Sequence, residues 1–186
     1  MDLNRNWEDG HWGGAGASPD PCSNTYRGPA GMSEPETRAI ERMLMVTLPQ
    51  QGYVLVGAID WHSFGQLILG PYGWTLPSGA VPPNDEAVTE VRDGMAEAIL
   101  NSPTGETYVS QYASQLGVAA GGCDDWLYTN ATGQRYAYTF ESRSRTALGG
   151  GFILPASEIV PTGIESTAAA IWFGQEMLRR YERSDK

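Results

Sequence analysis

Histidine and cysteine are scarce in this chain of 186 residues: His11, His62, Cys22 and Cys123 are all it has. So few thiols and imidazoles argue against a Cys-rich structural zinc site with four ligands. Basic residues are also few, 12 against 22 acidic ones, for a net charge of −10. An acidic chain lacks the basic footprint that phosphate contacts require, so a nucleic-acid partner is not expected. No apolar run approaches the roughly 18–20 residues of a membrane span. Met1 is followed by Asp2-Leu3-Asn4-Arg5, without the basic and apolar regions of a signal peptide. There is no GxxxxGK[ST] phosphate loop, no HExxH and no GxSxG elbow. The run Gly149-Gly150-Gly151 precedes no helix-opening pattern and reads as a loop.

What remains is a composition that folds. Hydrophobic residues make up 41% and charged ones 18%, with 6 Trp, 9 Tyr and 4 Phe, unlike a disordered chain. The 23 Gly and 12 Pro predict many turns. The length suits a single domain, residues 1–186, because one core usually serves about 100–200 residues.

Residues 8–31 are dense in Gly and Pro and read as a long loop, a feature that is often functional. Ser33-Glu34-Pro35-Glu36 has capping-box spacing. Ile40, Met43, Leu44 and Thr47 then recur at helical spacing, and Pro49 should end that helix, expected over 34–48. The continuous apolar run 54–59 predicts a strand over 54–60 buried on both faces, and Leu67-Ile68-Leu69 a second. A helix over 84–100 has Asn84 as cap, Asp85 and Glu86 in its first turn, and a stripe of Ala87, Val91, Met95, Ala98 and Ile99. A short strand is expected near Tyr108. Tyr136 to Glu141 alternates like a strand. Thr162-Gly163-Ile164-Glu165 is a second capping box, opening a helix over 164–182 with Ile164, Ala168, Ile171, Trp172 and Leu178 inward. Strands and helices alternate, so the fold class is α/β, a mixed central sheet with flanking helices.

Two reactive side chains end apolar strands, where sites gather in open α/β sheets. His62 follows one run and Glu141 ends the other. Each has an ordinary alternative: a hydrogen-bonded structural imidazole, and a solvated or salt-bridged carboxylate. Together they permit a metal-assisted hydrolase, with His62 as ligand and Glu141 as base for bound water. Asn4-Arg5 could clamp an anion, since a guanidinium meets a carboxylate in a two-bond fork.

The order of motifs adds a further reading. Asp2-Leu3-Asn4-Arg5-Asn6-Trp7, Pro21-Cys22-Ser23, Trp61-His62-Ser63-Phe64-Gly65-Gln66, Pro71-Tyr72-Gly73, Asp124-Asp125-Trp126, Thr139-Phe140-Glu141 and Phe152-Ile153-Leu154-Pro155-Ala156 follow one another. In this order they resemble the zinc metallocarboxypeptidases of the pancreatic A/B type over essentially the whole chain. The resemblance implies a zinc-dependent exopeptidase acting on peptide or protein C-termini. It implies Glu141 as the catalytic base, His62 as a zinc ligand, and Asn4 and Arg5 as anchors of the terminal carboxylate. At the position of Asp124, relatives preferring basic C-terminal residues carry Asp, so Asp124 suggests release of Lys or Arg; a helix-capping Asp is the alternative.

The sequence also departs from that pattern. The family's other zinc ligands, on a His-x-x-Glu motif before the Asn-Arg pair, have no counterpart here. By resemblance the chain is the C-terminal half of a peptidase domain, truncated at its N-terminus. Gly117 stands where the family has a mobile Tyr, for which Tyr112 is the nearest substitute. Cys22 matches a family cysteine whose partner lies upstream, and a Cys22–Cys123 bridge stays open. A secretory or extracellular location follows from the resemblance, in keeping with the sequon Asn130-Ala131-Thr132. The alternative function is a non-catalytic relative that binds peptide C-termini. An aromatic-rich carbohydrate-binding domain would explain the Trp content but not the motif order.

Overall fold

Four short strands form a sheet in the computed structural model, which describes residues 1–130 and 135–184. They are β1 (Ala58–Ser63), β2 (Leu67–Gly70), β3 (Val109–Tyr112) and β4 (Ala137–Ser142), in the order β1-β4-β2-β3. β2 and β4 run antiparallel, pairing Leu67 with Glu141, Ile68 with Phe140 and Leu69 with Thr139. The helices are α1 (Pro35–Arg42), α2 (Leu48–Gln50), α3 (Asp85–Leu100), α4 (Cys123–Asn130) and α5 (Ile159–Ser184). No helix among the described residues is long and apolar enough to cross a membrane.

The chain divides into two compact units, each assembled from three stretches: 1–58, 71–81 and 112–137 in the first, 59–70, 82–111 and 138–186 in the second. The second unit holds most of the sheet. Its core is one face of β2 and β4 against α3 and α5. Ile68, Tyr138 and Phe140 are fully buried there with Val88, Val91, Met95 and Ile99 of α3 and Ala169 of α5. Tyr138 donates its hydroxyl to Val88 O at 2.9 Å and meets Phe173 edge-on. Both contacts tie strand to helix, and the hydroxyl finds the acceptor that a buried Tyr needs. Gly94 sits where a Cβ would come within 2.1 Å of the Trp172 ring, so glycine sets how closely α3 approaches α5.

The first unit centres on α4. Trp126 is 2% exposed and Trp7 is 4% exposed, with ring centroids 4.7 Å apart. The long loop 8–31 is held by its own turns and by Asn6, whose side-chain amide donates to Arg27 O, Ala30 O and Ser33 Oγ. Gly16 has φ +78°, and a Cβ there would strike Val118 O at 2.1 Å.

Several expectations need correction. β1 begins at Ala58 rather than Val54, and Val54 is 54% exposed. β1 is an edge strand of this sheet, not one buried on both faces, because a continuous apolar run does not by itself reveal a strand's neighbours. Ser33 does not cap α1: Glu34 occupies the cap without a side-chain capping bond, and Ser33 Oγ donates to Glu34 Oε1 instead. Pro49 does not end the helix at its own position. A wide turn at Met43–Thr47 precedes α2, and the Leu48 N–H reaches Met43 O. Such a turn relieves the clash that a proline ring makes with the carbonyl four residues back. Asn84 stands at the cap of α3 but makes no side-chain capping bond. Thr162 opens no helix, since α5 already starts at Ile159 with Pro161 in its first turn, where a missing N–H costs nothing. Its buried stripe is Glu165, Ala169, Phe173 and Met177, while Ile171 and Leu178 are more than half exposed.

Candidate active site

Strand alternation places His62 and Glu141 together. Trp61 of β1 and Phe140 of β4 touch, with ring centroids 4.5 Å apart, so both project from the helix-covered face. Successive side chains on a strand point to opposite faces. Asp60, His62, Thr139 and Glu141 therefore share the other face, on strands that adjoin in the sheet order. The register is closed by Ser142 Oγ, which donates to His62 O at 3.0 Å. Glu141 is 8% exposed. Gly65, in the turn from β1 to β2, lies close enough that a Cβ would be 3.3 Å from Glu141 Cβ. The same turn is bound to β4 by the Gly65 and Gln66 N–H groups, both donating to Ser142 O.

His62 is held from within its own strand. Its Nε2 lies 2.8 Å from Asp60 Oδ2, two residues back on the same face, with both side chains a little over a quarter exposed. No group of three or more His, Cys, Asp or Glu side chains among the described residues is arranged to hold a metal ion. The described side chains therefore do not by themselves complete a zinc site.

Asn4, Arg5 and Asp124 lie in the first unit. Asn4 and Arg5 form a single helical turn, Leu3–Arg5, capped by Asp2, whose carboxylate accepts the Asn4 N–H. Asn4 Oδ1 accepts the Cys123 N–H at 2.7 Å, so this side chain caps α4. Asp124, 5% exposed, is the second residue of α4. One hydrogen bond thus joins the Asn-Arg turn to the helical turn that carries Asp124. Asp124 also accepts the Asp125 N–H. Arg5 is oriented by backbone carbonyls, with Nη1 donating to Asn4 O at 2.7 Å and Nε to Gly16 O at 3.2 Å.

Asp125 has a different task. It is fully buried and accepts the N–H groups of Gly73 and Trp74 at 2.9–3.1 Å. Burial and the adjacent Asp124 push its carboxyl well above the usual range, against the pull of those amides. Gly117 is exposed, and a Cβ there would meet nothing within 4 Å. Tyr112 ends β3, where its N–H donates to Gln115 Oε1. Cys22 and Cys123 are thiols, not a disulfide. Ala131 and Thr132 of the sequon lie outside the described residues.

These motifs in these places have known counterparts. The zinc carboxypeptidase family profile matches residues 1–170. The chain belongs to that family. It is 34% identical to a metallocarboxypeptidase A-like protein of Trichophyton verrucosum, over 90% of this chain and 38% of the relative. It is 38% identical to carboxypeptidase A1 of Bos taurus, over 94% of this chain and 37% of the relative. Among solved structures, bovine thrombin-activatable fibrinolysis inhibitor, in complex with tick carboxypeptidase inhibitor, superposes with a TM-score of 0.85 at 31% identity. That match covers 97% of this chain and 57% of the other. The chain thus spans under two fifths of the length of these curated relatives.

Sequence reasoning missed Asp60, although the Asp-x-His alternation was the available signal. It also missed Glu165, fully buried in α5 and bound by Arg143 and Tyr108. Nothing in the local sequence marks that carboxylate as internal.

Proposed function

We propose that this chain contributes to a zinc-dependent carboxypeptidase that releases a C-terminal residue, Lys or Arg, from peptides and proteins in the secretory pathway or outside the cell. Membership of the zinc carboxypeptidase family carries the reading. Glu141 takes a proton from the attacking water and His62 supplies one zinc ligand. Asn4 and Arg5 bind the terminal carboxylate, whose charge restricts cleavage to chain ends. Asp124 selects the side chain: a buried carboxylate attracts an entering ammonium or guanidinium and gains no such charge pair from Leu or Phe. In support, the Asn4–Cys123 bond ties the anchor to the helix that bears Asp124. A second reading, a binder of peptide C-termini without hydrolysis, is favoured by the lack of a three-ligand metal cluster among the described residues.

Paired peptides ending in Arg and in Phe, each with a free or an amidated C-terminus and assayed on a reconstructed full-length peptidase domain that includes this chain, separate the two. Hydrolysis of the free Arg peptide at a kcat/KM at least about tenfold above the Phe peptide, roughly 1.4 kcal/mol, supports the enzyme, and Asp124→Ile should reverse that ratio. Calorimetric binding that needs the free carboxylate, without cleavage, supports the second reading. Neither cleavage nor carboxylate-dependent binding overturns both.

A further inference from the structure

We propose that Asp60 is a positioning residue for His62, fixing both the tautomer and the orientation of its ring. The inference deepens the reading above, since the ring's importance rests on that function. An ionised carboxylate has only acceptor sites. The 2.8 Å contact between His62 Nε2 and Asp60 Oδ2 therefore requires Nε2 to carry the proton. In the neutral ring this places the lone pair on Nδ1. Imidazoles that act at a defined nitrogen are commonly oriented by a carboxylate on the other. Alternation puts Asp60 and His62 on one face of β1, and the Trp61–Phe140 contact anchors the strand from the opposite face. The same face of the neighbouring strand carries Glu141. A carboxylate two residues before the histidine thus sets which nitrogen is presented on the face shared with the candidate base.

The test is a long-range 1H–15N correlation spectrum of the labelled chain at pH 8, above the ordinary histidine range of about 6.5. Only two imidazoles, His11 and His62, contribute, so His62→Gln assigns them. The expected result is His62 predominantly as the Nε2–H tautomer. Asp60→Ala should shift its two 15N resonances toward the averaged values of a mixed tautomer. Asp60→Asn, whose amide oxygen still accepts, should retain the wild-type pattern. An Nδ1–H tautomer in the wild type overturns the proposal even if no variant folds. So does an unchanged His62 pattern in a folded Asp60→Ala. Absence of peptide hydrolysis with the tautomer result intact would count against the enzyme reading and leave this assignment standing.

Discussion

Glu165 offers the sharpest test of how the second unit is held together. Its carboxylate has no exposed surface and receives Arg143 Nε at 2.8 and 3.0 Å, Arg143 Nη2 at 2.5 Å and the Tyr108 hydroxyl at 2.9 Å. Burial opposes its ionisation, but the hydrogen bonds from Arg143, Tyr108 and Thr104 prevail and hold it below its ordinary 4.5. Arg143 is raised in turn, chiefly by the bond to Glu165, and burial beside that anion raises the Tyr108 phenol. Replacing Glu165 with Gln keeps the volume and removes the charge. Breaking a buried ion pair from one side costs about 3–5 kcal/mol. Arg143 keeps Glu158 at 2.5 Å and Glu106 at 3.6 Å and is 17% exposed, so the low end, about 3 kcal/mol, is expected. At about 2–4 °C per kcal/mol for a chain of this size, Tm should fall by about 6–12 °C. A carboxylate with a depressed pKa stabilises fully above its unfolded value and loses that contribution as pH falls through its folded value. The difference between wild type and Glu165→Gln should therefore be complete at pH 6–7 and shrink below 4.5. Urea unfolding across that range is the assay. A loss under about 1 kcal/mol at neutral pH, the size of an average substitution, or a difference that grows on acidification, would refute the reasoning.

Gly94→Ala should destabilise although alanine is the better helix former by about 1 kcal/mol. The added methyl meets Trp172 at 2.1 Å, and overpacking costs about 1–3 kcal/mol. A variant as stable as wild type in thermal melts would show that α3 and α5 can separate freely. Zinc should bind the isolated chain weakly, because no three-ligand cluster occurs among the described residues. Chelator should then leave Tm unchanged, and a stoichiometric, tight site in equilibrium dialysis would contradict this.

Much of the architecture was legible because it is written in local pattern. Helix α3 follows from its apolar period, its acidic first turn and a stripe that shares Val91, Met95 and Ile99 with the buried apolar residues Val88, Val91, Met95 and Ile99. β4 follows from strict alternation, which also puts Phe140 and Glu141 on opposite faces. The order of short motifs pointed to the family, since each motif constrains only its own neighbourhood and survives without the rest of the domain. Other features have no local signature. Whether the run at Val54 is buried depends on which strands adjoin β1. Which stripe of α5 faces inward depends on partners far away in sequence, and Glu165 turns inward only because Arg143 and Tyr108 meet it there.

The sequence by itself determined the element types, the family and the identity of the candidate side chains. Periodicity, turn chemistry and motif order act over a few residues and need no fold to be read. Only the tertiary structure decided that His62 and Glu141 share a sheet face and that Asn4 caps the helix carrying Asp124. It also decided that His62 Nε2 lies within hydrogen-bond distance of Asp60 Oδ2. Hydrogen bonds and burial depend on distances between atoms, and chain folding sets those distances among residues as far apart as Asn4 and Cys123.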